Sequence, residues 1–221
     1  MKNLFVSGAS GNLGETVVRY FSEMGWKILA TYSSEKGTDF PNVSWIQWKT
    51  NDMLLTGQLS EKLEEFEPLS GWIHLIGGFY GGLGLDETTP QKMKQMINMN
   101  FESAYELTSV AFPFFQPEIH ASVIFIGAEA ALQPSPNYGA YGSSKAALSY
   151  YAKTLAGENQ QKNISVNLIS PSTIDTKPNR DSMPDSDFSR WIQPSEITEV
   201  MSFLLSEKGR KINGSIIRMN A

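Results

Sequence analysis

Tyr141 and Lys145 are the two residues whose types and spacing best suit proton transfer. They lie four residues apart in a segment predicted to be helical, so their side chains are expected on one face. An ammonium stabilises a nearby phenolate, and we therefore expect Lys145 to lower the pKa of Tyr141 from about 10 towards neutrality. Such a tyrosine can act as the general acid for a carbonyl or imine that receives a hydride. The same spacing also occurs in surface pairs, so the position of the pair in the chain has to decide.

Three glycines, Gly8, Gly11 and Gly14, lie between the first predicted strand and the first predicted helix. In such a turn one glycine permits a sharp bend, one lets the backbone approach a pyrophosphate, and one lets helix and strand pack closely. The N–H groups at the helix start and the helix dipole then hold the phosphates. The predicted cofactor-binding residues here are Gly8, Ser10, Gly11, Asn12, Leu13 and Gly14. The alternative is a plain turn that uses glycine only for positive φ.

The end of the second predicted strand bears on which dinucleotide fits. No acid stands at Tyr32 to accept hydrogen bonds from a ribose 2′-hydroxyl, whereas Ser33 and Ser34 follow it and Lys36 is near. A carboxylate would repel a 2′-phosphate, while hydroxyls and an ammonium can bind one. We predict that Ser33 and Ser34 bind the cofactor, which is NADP or NAD, with NADPH preferred. Ordinary turn residues are the alternative interpretation.

Strands and helices alternate along the whole chain. Apolar runs such as Leu4–Ser7 predict strands, Gly142–Gln160 predicts a helix, and Pro90–Phe115 is long enough for one helix or two. Repeated β-α-β units need right-handed crossovers and so produce a parallel sheet covered by helices. The predicted fold class is α/β, with a single doubly wound Rossmann-type parallel sheet and helices on both faces. We expect one domain over residues 1–221, with a polar substrate lid around residues 172–194.

The composition excludes several classes of function. The 221 residues carry 18 Lys and Arg against 23 Asp and Glu, a net charge of −5, which argues against nucleic acid or an anionic membrane as partner. The absence of cysteine excludes disulfides, thiolate metal sites and cysteine nucleophiles. The two histidines, His74 and His120, are too few and too far apart for a metal cluster or a histidine-based triad. Without a long apolar stretch or a signal-peptide pattern, we expect a cytoplasmic protein without a metal that acts on a small molecule.

The ordered set of motifs resembles the short-chain dehydrogenase/reductase family over nearly the whole chain. The set includes the glycine turn, Asn100 and the Tyr141/Lys145 pair, together with Ile76-Gly77-Gly78, Pro171 and Asn213-Gly214-Ser215-Ile216-Ile217. The resemblance implies an NAD(P)H-dependent reductase in which Tyr141 donates the proton, Lys145 binds the nicotinamide ribose and Asn100 supports a proton-relay water.

The same resemblance extends the predicted cofactor site and suggests an assembly. The additional cofactor-binding residues are Gly77, Gly78, Tyr141, Lys145, Pro171, Ile174 and Thr176. By the same resemblance we expect a homodimer or homotetramer, built through the helices around Phe101–Phe115 and Ser143–Leu155. Ordinary amphipathic burial explains these two helices equally well.

Two features resemble the dihydropteridine reductase branch of that family. The serine usually found about thirteen residues before the tyrosine is replaced by Ala128, and the lid contains an Asn-Arg…Ser-Met-Pro…Asp-Phe-Ser…Trp pattern that ends at Trp191. A quinonoid dihydropterin is already an activated imine, so it needs less electrophilic help than a ketone. The branch carries an acid at the position of Tyr32 and uses NADH, and this chain departs from it there.

The expected function is therefore hydride transfer to a quinonoid dihydropteridine-like substrate. One alternative is a general carbonyl reductase acting on a ketone or a 3-oxoacyl thioester, which Ala128 disfavours. A second alternative is a non-catalytic nucleotide sensor, which the intact Tyr141, Lys145 and Asn100 disfavour.

Several residues have more than one interpretation. Aromatic walls for the substrate could come from Phe79, Tyr80, Tyr138 or Trp191. Glu129 is either a substrate contact or a solvated loop carboxylate. Arg180 either binds a substrate group or pairs with Asp181 or Asp185. His74 is interpreted as a hydrogen-bonded core residue.

Overall fold

The fold is built on one parallel sheet whose strands are spread along the whole described chain. The computed structural model describes residues 2–220, and within these one sheet contains seven strands in the order β3-β2-β1-β4-β5-β6-β7. The strands are β1 (Asn3–Ser7), β2 (Lys27–Tyr32), β3 (Val43–Gln47), β4 (Gly71–His74), β5 (Ala121–Ile126), β6 (Ile164–Pro171) and β7 (Ile216–Met219). Every neighbouring pair is parallel. The predicted parallel sheet is confirmed.

Helices cover both faces of this sheet. They are α1 (Asn12–Glu23), α2 (Met53–Glu64), α3 (Pro90–Ile97), α4 (Ser103–Ala111), α5 (Gly139–Glu158), α6 (Lys177–Ser182) and α7 (Pro194–Leu204). On one face Leu63, Leu107 and Leu148 from α2, α4 and α5 join a common apolar cluster. On the other face Phe21 of α1 and Met201 of α7 belong to a second cluster. The doubly wound arrangement with helices on both faces is confirmed.

The strand order reverses between β1 and β4. β1 pairs with β2 on one side and with β4 on the other, so the connections after β1 and after β4 diverge to opposite halves of the sheet. The crevice at the carboxyl ends of these two strands is where open α/β sheets bind ligands. The glycine turn after β1 and the glycine-rich segment after β4 both lie at this crevice.

The segment predicted as one helix or two is continuous but irregular. After α3, a π-helical turn spans Asn98–Glu102, α4 follows directly, and a 3₁₀ turn closes the segment at Phe112–Phe114. The backbone N–H of Ser103 reaches back to the carbonyl oxygen of Asn98, which is the i→i+5 bond of a π-turn. Single π-turns frequently mark functional sites, and this one carries Asn100.

The segment proposed as a lid has structure of its own. α6 and a 3₁₀ turn at Phe188–Arg190 lie within it. A parallel bridge joins Ile174 to Ile192 at its base, and the Asp175 N–H donates to the Ile192 carbonyl at 2.8 Å. The two ends of the segment are therefore held together beside β6.

Neither a membrane-spanning helix nor a metal-binding cluster is found in the part of the chain that the structure describes. Among residues 2–220, no helix is both long enough and apolar enough to span a bilayer. The same residues contain no cluster of three or more histidine, cysteine or carboxylate side chains arranged to hold a metal ion.

Candidate active site

The glycine turn after β1 is shaped by steric limits at two of its three glycines. Gly8 has a φ of +77°, and a Cβ there would lie 2.7 Å from the backbone nitrogen of Ile76. A Cβ on Gly14 would collide with the carbonyl of Ala9. Gly11, by contrast, has room for a Cβ, and it is the N-cap of α1 without a side-chain capping bond. The helix start is thus open towards the crevice, as the phosphate-turn prediction requires.

Thr31, at the end of β2, fixes the position of this turn. The Gly8 N–H donates to Thr31 Oγ1 at 3.0 Å and the Ala9 N–H donates to the Thr31 carbonyl at 2.9 Å. The predicted Ser33 and Ser34 follow in an exposed loop. Lys36 forms an ion pair with Asp39, with 2.7 Å between Nζ and Oδ1. The lysine expected near a 2′-phosphate therefore already has a carboxylate partner.

Lys145 is buried, and its ammonium is held by the backbone of β5. Only 5% of the residue is exposed, and Nζ donates to the Ile126 carbonyl at 2.8 Å. Burial lowers the pKa of Lys145 to about 8 because the charged form loses its hydration. The side chain lies at the carboxyl end of the sheet, next to the segment after β4, because a Cβ on Gly77 would sit 3.1 Å from Nζ.

Tyr141 lies in the first turn of α5, which begins three residues earlier than the sequence predicts. Burial, with a smaller contribution from Tyr138, raises the pKa of Tyr141 to about 12. The expected lowering by Lys145 is therefore wrong for the protein alone, since loss of hydration outweighs the effect of the ammonium, whose nearest acceptor is a backbone carbonyl. The phenol is neutral at physiological pH and carries a proton that it can donate.

Asn100 connects the segment after β4 to α5. Its side-chain amide accepts from the Gly78 N–H and donates to the Gly78 carbonyl, both at 3.0 Å, and Nδ2 also donates to Ser144 Oγ at 3.0 Å. Ser144 in turn donates to the Tyr141 carbonyl at 2.7 Å. The structure thus brings Asn100, Lys145 and the first turn of α5 together around Gly77 and Gly78.

Gly77 and Gly78 are glycines for a steric reason. A Cβ on Gly77 would lie 2.8 Å from Asn100 Oδ1, and a Cβ on Gly78 would lie 2.7 Å from Met99 Cε. Met96 also packs here, with its sulfur 3.8 Å from Asn100 Nδ2. Met96 and Met99 therefore pack directly against the glycine segment.

The position of the missing serine is a small, buried alanine. Ala128 is 7% exposed and is the second residue after β5. The next residue, Glu129, forms an ion pair with Arg218 of β7. It is therefore a paired carboxylate, which neither of the two interpretations of Glu129 anticipated.

The lid is held by a pair that the sequence did not suggest. Arg180 binds both carboxylate oxygens of Asp175, at 2.6 and 2.7 Å, and Gln193 donates to the same carboxylate at 2.8 Å. The guanidinium also lies over the Phe188 ring, 4.7 Å from its centre. The hydrogen bonds from Arg180 hold the pKa of Asp175 at about 2. The expected partners Asp181 and Asp185 are therefore wrong.

The other predicted cofactor residues lie at the carboxyl end of β6 and in the segment that follows it. Pro171 is the last residue of β6, and Ile174 and Thr176 follow it at the base of the lid. Ile174 takes part in the bridge to Ile192, and Thr176 is the N-cap of α6. Both side chains are half-buried. They lie at the same edge of the sheet as the glycine turn, since all strands are parallel.

Sequence reasoning missed Ser144, which links Asn100 to the backbone of Tyr141. Its position between Tyr141 and Lys145, three residues after the tyrosine, was available as a signal, because a helical serine commonly bonds to the carbonyl three or four residues earlier. Asp175 was also missed, and an acidic residue next to the predicted Ile174 and Thr176 was the available signal.

A comparison with family models decides the family. Residues 8–221 match the model of a family described as enoyl-(acyl carrier protein) reductase, which spans nearly the whole chain. The chain is a member of the short-chain dehydrogenase/reductase family. It is therefore an NAD(P)-dependent oxidoreductase of this type, in agreement with the expected class.

The short-chain dehydrogenase/reductase relatives differ in the substrate that their names give. A dihydropteridine reductase of Dictyostelium discoideum is 27% identical over 223 residues, covering 98% of this chain and 94% of the relative. A 3-oxoacyl-[acyl-carrier-protein] reductase of Thermotoga maritima is 22% identical over 234 residues, covering 98% and 95%. Among solved structures, ElxO with NADP bound aligns with a TM-score of 0.89 at 22% identity, covering 99% of this chain and 96% of that one, which shows the shared fold.

Proposed function

We propose that this protein is an NAD(P)H-dependent reductase that transfers a hydride to a quinonoid dihydropteridine-like substrate, with Tyr141 as proton donor. The observation that carries the proposal is the convergence of Asn100, Lys145 and the Tyr141 turn on Gly77 and Gly78, beside an Ala128 that offers no hydroxyl. A simple ketone gains from a second hydrogen-bond donor at its oxygen, whereas a conjugated imine needs less of this help.

The residues at the crevice fit a dinucleotide. The absence of a Cβ at Gly8 and Gly14 lets the turn pack closely against the backbone of Ile76 and Ala9, and the first turn of α1 is uncapped by side chains. Residues Gly8 to Gly14 would hold the pyrophosphate, and Ser33 and Ser34 would face the adenosine ribose. The nicotinamide end would be held by Gly77, Gly78, Lys145, Pro171, Ile174 and Thr176. A reduced nicotinamide supplies the hydride when bound.

The residues that would surround the adenosine ribose can accommodate NADH or NADPH, and we propose NADPH as the preferred cofactor. Ser33 and Ser34 present hydroxyls, and position 32 carries a tyrosine and no carboxylate that would repel a 2′-phosphate. Lys36 would have to exchange Asp39 for the phosphate, which limits its contribution to affinity. A titration of the protein with each reduced cofactor measures this preference directly.

Proton transfer follows from the state of the two titratable groups. With a pKa of about 12, the Tyr141 phenol keeps its proton until charge develops on the substrate. Lys145, with a pKa of about 8, is cationic at neutral pH and can stabilise the phenolate that forms. As the pH rises through about 8, Lys145 loses its charge, so the reduction rate is expected to fall.

The mouth of the site is lined with exposed aromatic rings. The Phe79 ring is centred 5.0 Å from that of Tyr141 in an edge-on arrangement and 5.5 Å from that of Tyr138. Phe79 is 62% exposed and Tyr138 is 36% exposed, so both offer ring surface to a ligand. The Gly82 N–H donates to the Asn137 carbonyl at 3.1 Å and joins the two loops that carry these rings. A flat conjugated substrate matches this surface better than a flexible acyl chain.

The first experiment measures oxidation of NADH and NADPH by the purified protein with quinonoid dihydrobiopterin, and separately with acetoacetyl thioesters and simple ketones. Pterin turnover with at least one cofactor is expected, with ketone turnover at least about tenfold slower. Turnover of ketones with the pterin inert would replace the proposed substrate with a carbonyl compound.

The variant Tyr141→Phe tests the proton donor. We expect kcat to fall by about 10² to 10⁴-fold with a much smaller change in the affinity for the reduced cofactor, because the ring stays and only the phenolic hydroxyl is removed. Tyr150→Phe is the matched control, since this tyrosine lies on the same helix and is 78% exposed. Unchanged turnover in Tyr141→Phe would contradict the role of the phenol and favour a different proton source.

A further inference from the structure

A chain of buried hydrogen bonds runs beneath the site. Trp72 Nε1 lies 2.9 Å from Ser7 Oγ, which lies 2.8 Å from His74 Nδ1. On the other side of the ring, His74 Nε2 lies 3.3 Å from Ser103 Oγ, which lies 2.9 Å from the Met99 carbonyl. The four side chains are at most 1% exposed, so the bonds are shielded from water.

The groups at the two ends of this hydrogen-bond chain set its direction. The Trp72 indole N–H can only donate, so Ser7 accepts from it, and the Ser7 hydroxyl proton is satisfied by donation to His74 Nδ1. The Met99 carbonyl can only accept, so Ser103 gives its proton there and must accept from His74 Nε2–H. His74 is therefore neutral, with its proton on Nε2.

The environment of the ring agrees with this assignment. Burial, together with the Lys145 ammonium, lowers the pKa of His74 to about 3. A protonated ring would have to donate from Nδ1 as well, which would leave Ser7 with two donors pointing at it and its own proton without a partner.

His74 thereby joins the two backbone segments that form the site. Ser7 immediately precedes Gly8 of the glycine turn. Met99 and Ser103 flank the part of the π-turn that carries Asn100, whose amide holds Gly78. Gly77, next to Gly78, lies against both Asn100 Oδ1 and Lys145 Nζ. The position of Asn100 relative to Lys145 thus depends on how the π-turn is tied to β4.

We propose that His74 is a positioning residue for the reductase site, in which the Nε2–H bond to Ser103 sets the π-turn and, through Asn100, the glycine segment against which Lys145 lies. The inference rests on the proposed reductase function for its kinetic consequence. Its structural part does not depend on any substrate. Misplacement of a reacting group by about 1 Å can cost up to about a hundredfold in rate, so a hydrogen bond outside the reacting atoms can matter for turnover.

The tautomer is measured on the wild-type protein with long-range ¹H–¹⁵N correlation spectra of the histidine rings. Since the sequence contains two histidines, the variant His120→Gln assigns the signals. The expected result is a neutral ring protonated at Nε2 throughout the range from about pH 5 to about pH 8. A ring protonated at Nδ1, or one that becomes cationic within this range, would overturn the proposal without any variant at position 74.

Two amide variants separate positioning from packing. The amide of Gln reaches as far as Nε2, so His74→Gln keeps a donor for Ser103, whereas the amide of His74→Asn reaches only to the position of Nδ1. We expect His74→Asn to lower kcat for quinonoid dihydrobiopterin by roughly ten- to a hundredfold, with cofactor affinity within about twofold, and His74→Gln to retain most of the rate. Wild-type kcat in a folded His74→Asn variant would refute the role.

A substrate-free measurement keeps this outcome separate from that of the proposed function. The side-chain amide signals of Asn100 report its bonds to Gly78 and Ser144. They are expected to shift in His74→Asn and in the milder Ser103→Ala, and to stay near their wild-type positions in His74→Gln. Unmoved Asn100 signals in both His74→Asn and Ser103→Ala would reject the positioning role even if pterin turnover were absent in the wild type.

Discussion

Lys145, which we propose takes part in catalysis, is buried where a positive charge is unfavourable. It is 5% exposed and its pKa lies near 8, compared with 10.5 for a solvated lysine. The spacing of Tyr141 and Lys145, together with their place in a chain that begins with a glycine turn, was the signal that pointed to the pair. It could not give the direction of the shift at Tyr141, because that direction depends on how far the phenol is buried, and burial follows from the packing of Phe79 and Tyr138 around it.

Removal of the Lys145 charge is expected to stabilise the fold. The folded pKa lies below the unfolded one, so the cost is present in full below about pH 8 and disappears as the pH rises towards 10.5. Lys145→Met should therefore raise the free energy of unfolding at neutral pH by about 1 to 3 kcal/mol, after allowing for the lost bond to Ile126, and the gain should shrink with rising pH. Urea unfolding at two pH values measures it.

The control for this variant is Lys153→Met, an exposed lysine on the same helix, which should leave stability nearly unchanged. Turnover in Lys145→Met is expected to fall strongly at the same time. Equal or lower stability of Lys145→Met at neutral pH would show that the buried ammonium is compensated by its surroundings.

At the scale of single elements, the sequence predicted most helices and strands but missed the irregular ones. Residues 90–115 were predicted as one helix or two from their length, and the structure has α-helix there except at the π-turn and at the closing 3₁₀ turn. The π-turn is stabilised by contacts far away in sequence, namely the bonds of Asn100 to Gly78 and of Ser103 to His74. A pattern that reports only local burial does not contain them.

The glycine turn provides a test at the element scale. Gly14→Ala places a methyl group against the Ala9 carbonyl, which is backbone and cannot move aside. We expect this variant to weaken binding of the reduced cofactor by at least about tenfold, since the turn must open to relieve the clash. Fluorescence titration with NADH and NADPH measures the affinity.

Gly157→Ala is the matched control for the turn. It also adds a methyl group to a helical glycine, but nothing lies within 4 Å of the new Cβ. It should leave cofactor affinity unchanged and stabilise α5 by up to about 1 kcal/mol. Equal affinities for Gly14→Ala and the wild type would show that the turn does not hold the cofactor in the way proposed.

At the scale of the whole molecule, the doubly wound parallel sheet was predicted from the alternation of strands and helices, because right-handed crossovers leave few topologies. The exposed surface also carries information about assembly. Tyr105 of α4 and Tyr150 of α5 are 62% and 78% exposed, and the Tyr105 ring packs 5.8 Å from that of Tyr151. These two helices are the ones for which we expected an interface with a second copy of the chain.

We predict that this aromatic surface mediates assembly into a homodimer or homotetramer. Tyr150→Glu should shift the mass measured by sedimentation equilibrium towards the monomer, because a carboxylate would be buried without a partner. Met53→Glu, at a methionine that is 91% exposed on α2, is the control and should leave the mass unchanged. A monomeric wild-type protein would refute the prediction.

The bridge between Ile174 and Ile192 has a consequence for how new specificities arise. Residues 175–191 leave the sheet just after β6, and their two ends are paired with each other at Ile174 and Ile192, so their length and sequence can change while the strands keep their registers. The whole segment 175–191 can therefore be replaced by the corresponding segment of a relative. Selection, or an engineer, can then alter what the enzyme accepts at little risk to the scaffold that carries it.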